Sequence, residues 1–236
     1  MSPKYLAFDI ETAADIQGPD FNWRQQRPIG ITCAAVFPAD ESEPQVWHGR
    51  TNSGAPAPRM SPAEAASLVE FLRAKVEAGY TIVTWNGLSF DFDVLAEESG
   101  EPDLCRELAM NHTDLMFHVF CEKGFPVSLA NAAAGMGIPG KLENISGEQA
   151  PALWARGEHE QVIKYVAQDA RVTLEVALAS EKRKSFSWRT KAGKIKSFPL
   201  NGSWLSVSEA LNLPEPDTSW MDDAIPRRQF TAWLQG

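Results

Sequence analysis

Three pairs of polar residues have spacings that could bring carboxylates to one point. Asp9 and Glu11 stand two apart in the stretch FDIET, so in a strand both side chains leave the same face. Asn86 and Asp91 bracket the stretch NGLSFD. Tyr165 and Asp169 are four apart, which in a helix places them on one face. Converging carboxylates suit divalent ions. Two ions roughly 4 Å apart lower the pKa of a bound water and stabilise charge on the attacking and leaving oxygens of a phosphodiester. Hard Mg²⁺ or Mn²⁺ prefers such oxygen ligands. Each pair alone also has a plainer reading. Asp9 and Glu11 could be a solvated strand end, Tyr165 and Asp169 a surface pair. Asp91 could be an acid favoured by the dipole of a helix start, with Asp93 as its rival two residues on.

The elements expected to position these residues can be read from pattern. Residues 4–10 are apolar and β-branched or aromatic enough for a strand running into the first acidic pair. Residues 13–27 are polar and rich in turn formers, and read as a loop. Further strands are expected at 29–37 and 45–48, making a three-stranded antiparallel meander, followed by a linker at 51–60. Ser61 and Glu64 form a capping box with Pro62 at the first helical position, so a helix is expected over 62–78, stopped by Gly79. Residues 80–85 read as a buried strand delivering Asn86-Gly87 into a turn, and a helix should run from near Asp91 to before Gly100. Shorter helices are expected at 102–110 and 128–135. A pair at 147–156 and 158–181 is separated by Gly157, with Ser146 and Gln149 as a second capping box. Strands that lead and then alternate with helices indicate an α/β class with a mixed sheet. On the last helix Val162, Val166 and Thr173 share the face of Tyr165 and Asp169, so that face is expected to be at least partly buried.

Together, and in this order, the three motifs resemble the DEDDy 3′–5′ exonucleases. FDIET matches the first motif, with Thr12 after the glutamate. WNGLSFDFDVL and YVAQDARVTLEVAL look like the second and third motifs of the proofreading domain of family B DNA polymerases. The chain is similar to stand-alone exonucleases related to that domain, over roughly residues 4–181. The resemblance implies an RNase H-like fold, a mixed sheet flanked by helices, and a two-ion site for Mg²⁺ or Mn²⁺. It implies that Asp9, Glu11 and Asp169 hold the first ion, that Asp9 bridges to the second, and that Asp91 reaches the second directly or through water. Tyr165 would position the attacking water, being a poor base as a neutral phenol. Thr12 and Asn86 are implied contacts to the terminal nucleotide. Asp114 falls where related exonucleases carry Asp-Leu before a helix, and reads as a capping or packing residue rather than a ligand. Lys141 could touch a phosphate or be a solvated loop lysine.

Composition limits the alternatives. The 236 residues, 44% hydrophobic with eight Trp, suffice for a buried core. No apolar run approaches the roughly 20 residues that span a bilayer. Asp9 and Glu11 interrupt the only apolar stretch near the amino terminus, so no signal peptide is read there. Cys33, Cys105 and Cys121 are isolated thiols suited to a reducing, cytoplasmic setting. The net charge of −9 argues against a polyanionic partner until its distribution is seen. Residues 182–198 carry seven cations and no acid, which leaves 15 basic against 31 acidic residues elsewhere. This segment, expected to be a β-ribbon turning at Lys191-Ala-Gly-Lys194, interleaves its cations with Phe186, Trp188 and Phe198. That mixture suits single-stranded nucleic acid, or equally a solvated ribbon with its aromatics packed inward. Trp188, Lys191, Lys194 and Lys196 are the candidate substrate contacts. Residues 203–212 read as a short amphipathic helix. The division expected is a domain at 1–181 and an extension at 182–236 docked by Trp204, Trp220, Phe230 and Trp233. The expected partner is the 3′ end of single-stranded nucleic acid, DNA ahead of RNA. An exoribonuclease and a non-catalytic RNase H-like binding module are the alternatives.

Overall fold

The computed structural model describes residues 4–16, 22–139 and 147–235. Its centre is a five-stranded mixed sheet in the order β3-β2-β1-β4-β5. Strands β1 (Tyr5–Thr12), β2 (Ile31–Pro38) and β3 (Gln45–His48) form the antiparallel meander, and β4 (Thr81–Thr84) joins β1 in parallel. β5 (Thr113–Asp114) is a two-residue edge strand parallel to β4. It was not expected from the sequence, because two residues carry no periodicity. The amino-terminal loop contains a 3₁₀ turn at Trp23–Gln26.

Alternation along β1 sorts side chains between two cores. Leu6, Phe8 and Ile10 enter one core with Leu68, Leu72 and Phe92. Those partners come from helices α1 (Pro62–Glu77) and α2 (Asp91–Ser99), behind which α3 (Pro102–Asn111) packs. Tyr5 and Ala7 enter the other core. There they meet α4 (Leu115–Lys123), α5 (Leu129–Met136), α6 (Ala150–Ala155) and the long α7 (His159–Arg183). By the same period of two, Asp9 and Glu11 continue the Tyr5–Ala7 face, towards α7.

Local signals account for most boundaries. Ser61 and Glu64 form both halves of the expected capping box on α1, and Gly79 beyond its end takes φ +88°. α6 starts later than expected, with Gln149 at its N-cap making no side-chain cap bond; Ser146, the other half of that proposed box, lies outside the described residues, as does Lys141. Cys33, Cys105 and Cys121 are free and buried.

Residues 185–199 form the expected ribbon, β6 (Ser185–Arg189) paired antiparallel with β7 (Ile195–Pro199). Phe186, Trp188 and Phe198 turn inward together, and β6 lies on α5 where Gly135 leaves room: a Cβ there would come within 2.2 Å of the Trp188 Cα. Two short helices follow, α8 (Val207–Ala210), capped by Ser206 and Glu209, and α9 (Arg228–Thr231). Trp204 and Phe230 are buried and Trp233 is partly buried. Arg227 donates to the carbonyls of Cys121, Leu211, Leu213 and Pro214. Trp220 departs from its expected docking role. It is 65% exposed, with only its edge against Phe125.

His118 sits beneath this extension, edge-on to Trp204, and its Nδ1 accepts the Leu205 N–H at 3.2 Å. Burial pushes its pKa down to about 4. A neutral imidazole is therefore built into the fold, and its stabilisation is present above the unfolded value near 6.5 and lost as pH falls towards 4. His118 therefore contributes a falling part to the urea midpoint over that window, and His118→Gln, which keeps an acceptor without the titration, should remove that part relative to the parent chain. An unchanged slope in the variant would show that His118 does not contribute it.

Candidate active site

α7 carries Val162, Tyr165, Val166, Asp169 and Thr173 at helical spacing, and all five are buried. This face packs across β1 and β2. Opposite Asp9 and Glu11 in the β1–β2 ladder stand Ala35 and Cys33. These small residues let the helix lie close over the two acids. Tyr165 is 1% exposed, and its phenol is hydrogen-bonded to the Asp169 carboxylate. Its pKa is raised far above the ordinary tyrosine value, first by burial, then by the charges of Asp169, Glu11 and Asp9. The phenol is thus a fixed neutral donor surrounded by three carboxylates. Glu11 and Asp169 are buried and Asp9 is half-buried.

Asp91 approaches from the other side. β1 and β4 pair only over residues 5–7 of β1 and 81–83 of β4, and beyond that point the strands part. Ile10, between Asp9 and Glu11, therefore has no β4 partner in the ladder, and its N–H donates to Asp91 Oδ1 at 3.1 Å. The carboxylate thus occupies the place of the missing strand. Burial, then the charge of Asp114, pushes its pKa up to about 8.

The turn carrying Asp91 is held by Asp114. Its Oδ1 accepts from the Asn86 N–H at 3.0 Å and the Phe117 N–H at 3.0 Å, and its Oδ2 accepts from Leu88 N–H at 2.9 Å. It caps α4 and pins the Asn86 turn at once. Asn86 adopts φ +74°, a region that Asn tolerates better than most residues. Its side-chain oxygen accepts from Ser89 Oγ at 2.7 Å. Gly87 follows because a Cβ there would lie 2.4 Å from Thr84 Oγ1. Thr12 is buried at the end of β1, where the ladder register shifts.

Asp93 is separated from this group by its contacts. It is buried against Arg27 at 2.9 Å and Arg24 at 3.4 Å. Burial raises its pKa and the two arginines act against that rise. Asp93 therefore ties the amino-terminal loop to α2, a role for which the sequence offers no local sign because the arginines lie some 66 to 69 residues away.

Of the remaining candidates, Trp188 is only 7% exposed, in the stack with Phe186. Its edge, Lys191 and Lys196 line a groove of about 1230 Å³ that also reaches Asn86; Lys194 lies outside that lining. Phe125, Lys123 and Trp220 line the same groove and were not among the sequence candidates. No motif spacing links positions so far apart in the chain.

The donors around Tyr165 are carboxylate oxygens, the chemistry a hard divalent ion requires. Among the described residues, no three His, Cys, Asp or Glu side chains are drawn tightly enough to hold an ion as they stand. The donor type itself fits such an ion.

Asp91 and Asp93 should separate by stability. In EDTA above about pH 8, where burial disfavours the Asp91 charge, Asp91→Asn keeps the acceptor for Ile10 and should raise the unfolding temperature. Asp93→Ala should cost about 2 kcal/mol through lost charged hydrogen bonds. The reverse ranking in a melting experiment would reverse the assignment.

The RNase_H_2 family model, of the RNase_H superfamily, matches residues 47–179, more than half of the chain. That span holds the Asn86–Asp91 and Tyr165–Asp169 motifs and begins after Asp9 and Glu11. No curated protein matches the chain. Among solved structures, the fold is shared with the family B DNA polymerase from the hyperthermophilic archaeon Pyrobaculum calidifontis, at 20% identity and a TM-score of 0.52. The similarity covers 77% of this chain and 24% of that one, so the chain spans about a quarter of the polymerase's length. With a mixed five-stranded sheet between two helical layers and a family match over more than half its length, the chain belongs to the RNase H superfamily.

Proposed function

We propose that the chain is a metal-dependent 3′–5′ exonuclease that removes mononucleotides from single-stranded DNA. The observation that carries this reading is the placement of Tyr165 and Asp169 on α7 over the β1 face that bears Asp9 and Glu11, with Asp91 bonded to the backbone between those two acids. Residues 1–181 would form the catalytic domain and 182–236 an extension packed on it.

In this reading Asp9, Glu11 and Asp169 hold one divalent ion, and Asp9 and Asp91 serve a second. Held there, Mg²⁺ or Mn²⁺ would supply an activated water and offset the developing charge on the phosphodiester. The chain's own residues do the rest. Burial, then the charges of Asp169, Glu11 and Asp9, raise the Tyr165 pKa, so its neutral phenol orients a water by hydrogen bonding and is a poor base. Asp91 is anchored through Ile10, which fixes its distance from the β1 acids. Thr12 and Asn86, at the ends of β1 and β4, flank the place for the terminal nucleotide.

Single strands labelled at either end provide the test. Mononucleotide release from the 3′ end should require Mg²⁺ or Mn²⁺, stop in EDTA and return when the ion is restored. Asp9→Ala and Asp169→Ala should each reduce the rate at least about a hundredfold with the fold retained by circular dichroism. Tyr165→Phe should leave residual activity. Cleavage of RNA in preference to DNA would move the reading to an exoribonuclease. No cleavage with either ion would leave a binding module.

A further inference from the structure

The groove beside Asn86 has a composition unlike the rest of the surface. Lys123, Arg189, Lys191 and Lys196 line it and none of its described lining is acidic, on a chain of net charge −9. Phe125 and Trp220 line it too, their rings 6.0 Å apart at 76°. The two come from separate parts of the fold. Phe125 follows α4, whereas Trp220 belongs to the extension, held by its Nε1 bond to the Asp217 carbonyl at 3.1 Å. A tryptophan left 65% exposed gains nothing for the fold from that exposure. In a groove also lined by Lys123, Arg189, Lys191 and Lys196, it has the form of a stacking platform, since every base presents a π-face and every nucleotide a phosphate. Asn86 lines one end of the groove and begins the turn that carries Asp91.

We infer that this groove holds the single-stranded nucleic acid that precedes the 3′-terminal nucleotide, with a base stacked on Trp220 and phosphates along Arg189, Lys191 and Lys196. The inference rests on the proposed function for the orientation of the strand, though not for the binding itself. Its consequence is length dependence. A dinucleotide occupies the carboxylate end alone, whereas a longer strand reaches the Trp220 platform. The groove thus supplies affinity for single strands without reading their sequence.

The experiment measures binding in EDTA, where metal-dependent turnover cannot run. Fluorescence anisotropy compares labelled oligo-dT from a dinucleotide to a dodecanucleotide. The full chain should gain affinity with length, and Trp220→Ala should lose about tenfold of that gain, the worth of one stacked base. Trp220→Phe should recover most of it. Lys191→Ala combined with Lys196→Ala should lower the slope of log affinity against log salt by about 1.4, or 0.7 for each phosphate contact. Since Trp220 is exposed, the melting temperature of Trp220→Ala should be unchanged, which separates a binding role from a packing role. Length-independent binding, or full affinity in Trp220→Ala at every length, would overturn the inference. Length-dependent binding through Trp220 without any cleavage would uphold the groove and discard the nuclease reading. Cleavage with no Trp220 effect would do the opposite.

Discussion

Carboxylates of one sign do not assemble themselves, and everything else in this fold depends on what forces them together. The force is the packing of α7 across β1. One helical face carries Val162, Val166 and Ala170 into the sheet's core, and Tyr165 and Asp169 travel with them. Full burial of the two valines is worth roughly 1.5–3 kcal/mol each, with a smaller gain from the Ala170 methyl. That is enough to hold acids near acids, provided that hydrogen bonds take up part of the charge. The Tyr165 phenol does so for Asp169, and the Ile10 N–H does so for Asp91. The apolar stripe supplies the position and the polar atoms are carried to it.

The second constraint is the early parting of β1 from β4. A parallel pair that stays in register satisfies its backbone groups within the sheet. Here the pairing ends after three residues, and a side chain has to complete it. Asp91 fills that role on one strand, and Asp114 fills a comparable one for the turn beyond β4. Two neighbouring acids therefore divide the work. Asp114 spends its oxygens on three backbone donors and is a structural pin, while Asp91 accepts from the backbone between Asp9 and Glu11. Its raised pKa, about 8, follows from being buried next to the pin.

Much of this was legible in the sequence where the determinants are local. The Ser61–Glu64 box, the Asn-Gly turn, the i, i+4 stripe of α7 and the alternation of β1 each lie within a few residues, and each appears where expected. The starts of β1, β2 and β4 lie one or two residues later than expected, whereas β3 keeps its expected bounds. What stayed illegible depends on distance along the chain. Nothing around Asp93 announces Arg24 and Arg27, nothing around Asp114 announces the Asn86 turn, and a two-residue strand has no period to read. Trp220 was misjudged for the related reason that an aromatic residue in a turn-rich tail is read as an anchor by default. The basic segment was found by its cations and interleaved aromatics, yet those aromatics serve the core while Arg189, Lys191 and Lys196 line the groove.

Glu181 joins parts of the molecule that have otherwise been treated apart. One of its oxygens accepts from the Tyr5 phenol at 2.6 Å and from the Trp204 N–H at 3.0 Å. The first strand, the far end of α7 and the extension therefore meet at a single atom. Glu181 lies twelve residues beyond Asp169 on a helix that contains neither Gly nor Pro, a span of about 18 Å at 1.5 Å per residue. Such a helix transmits displacement as a rod, with little bending along its length. The residue that joins the extension to the first strand and the Tyr165–Asp169 pair are thus carried on one uninterrupted helix.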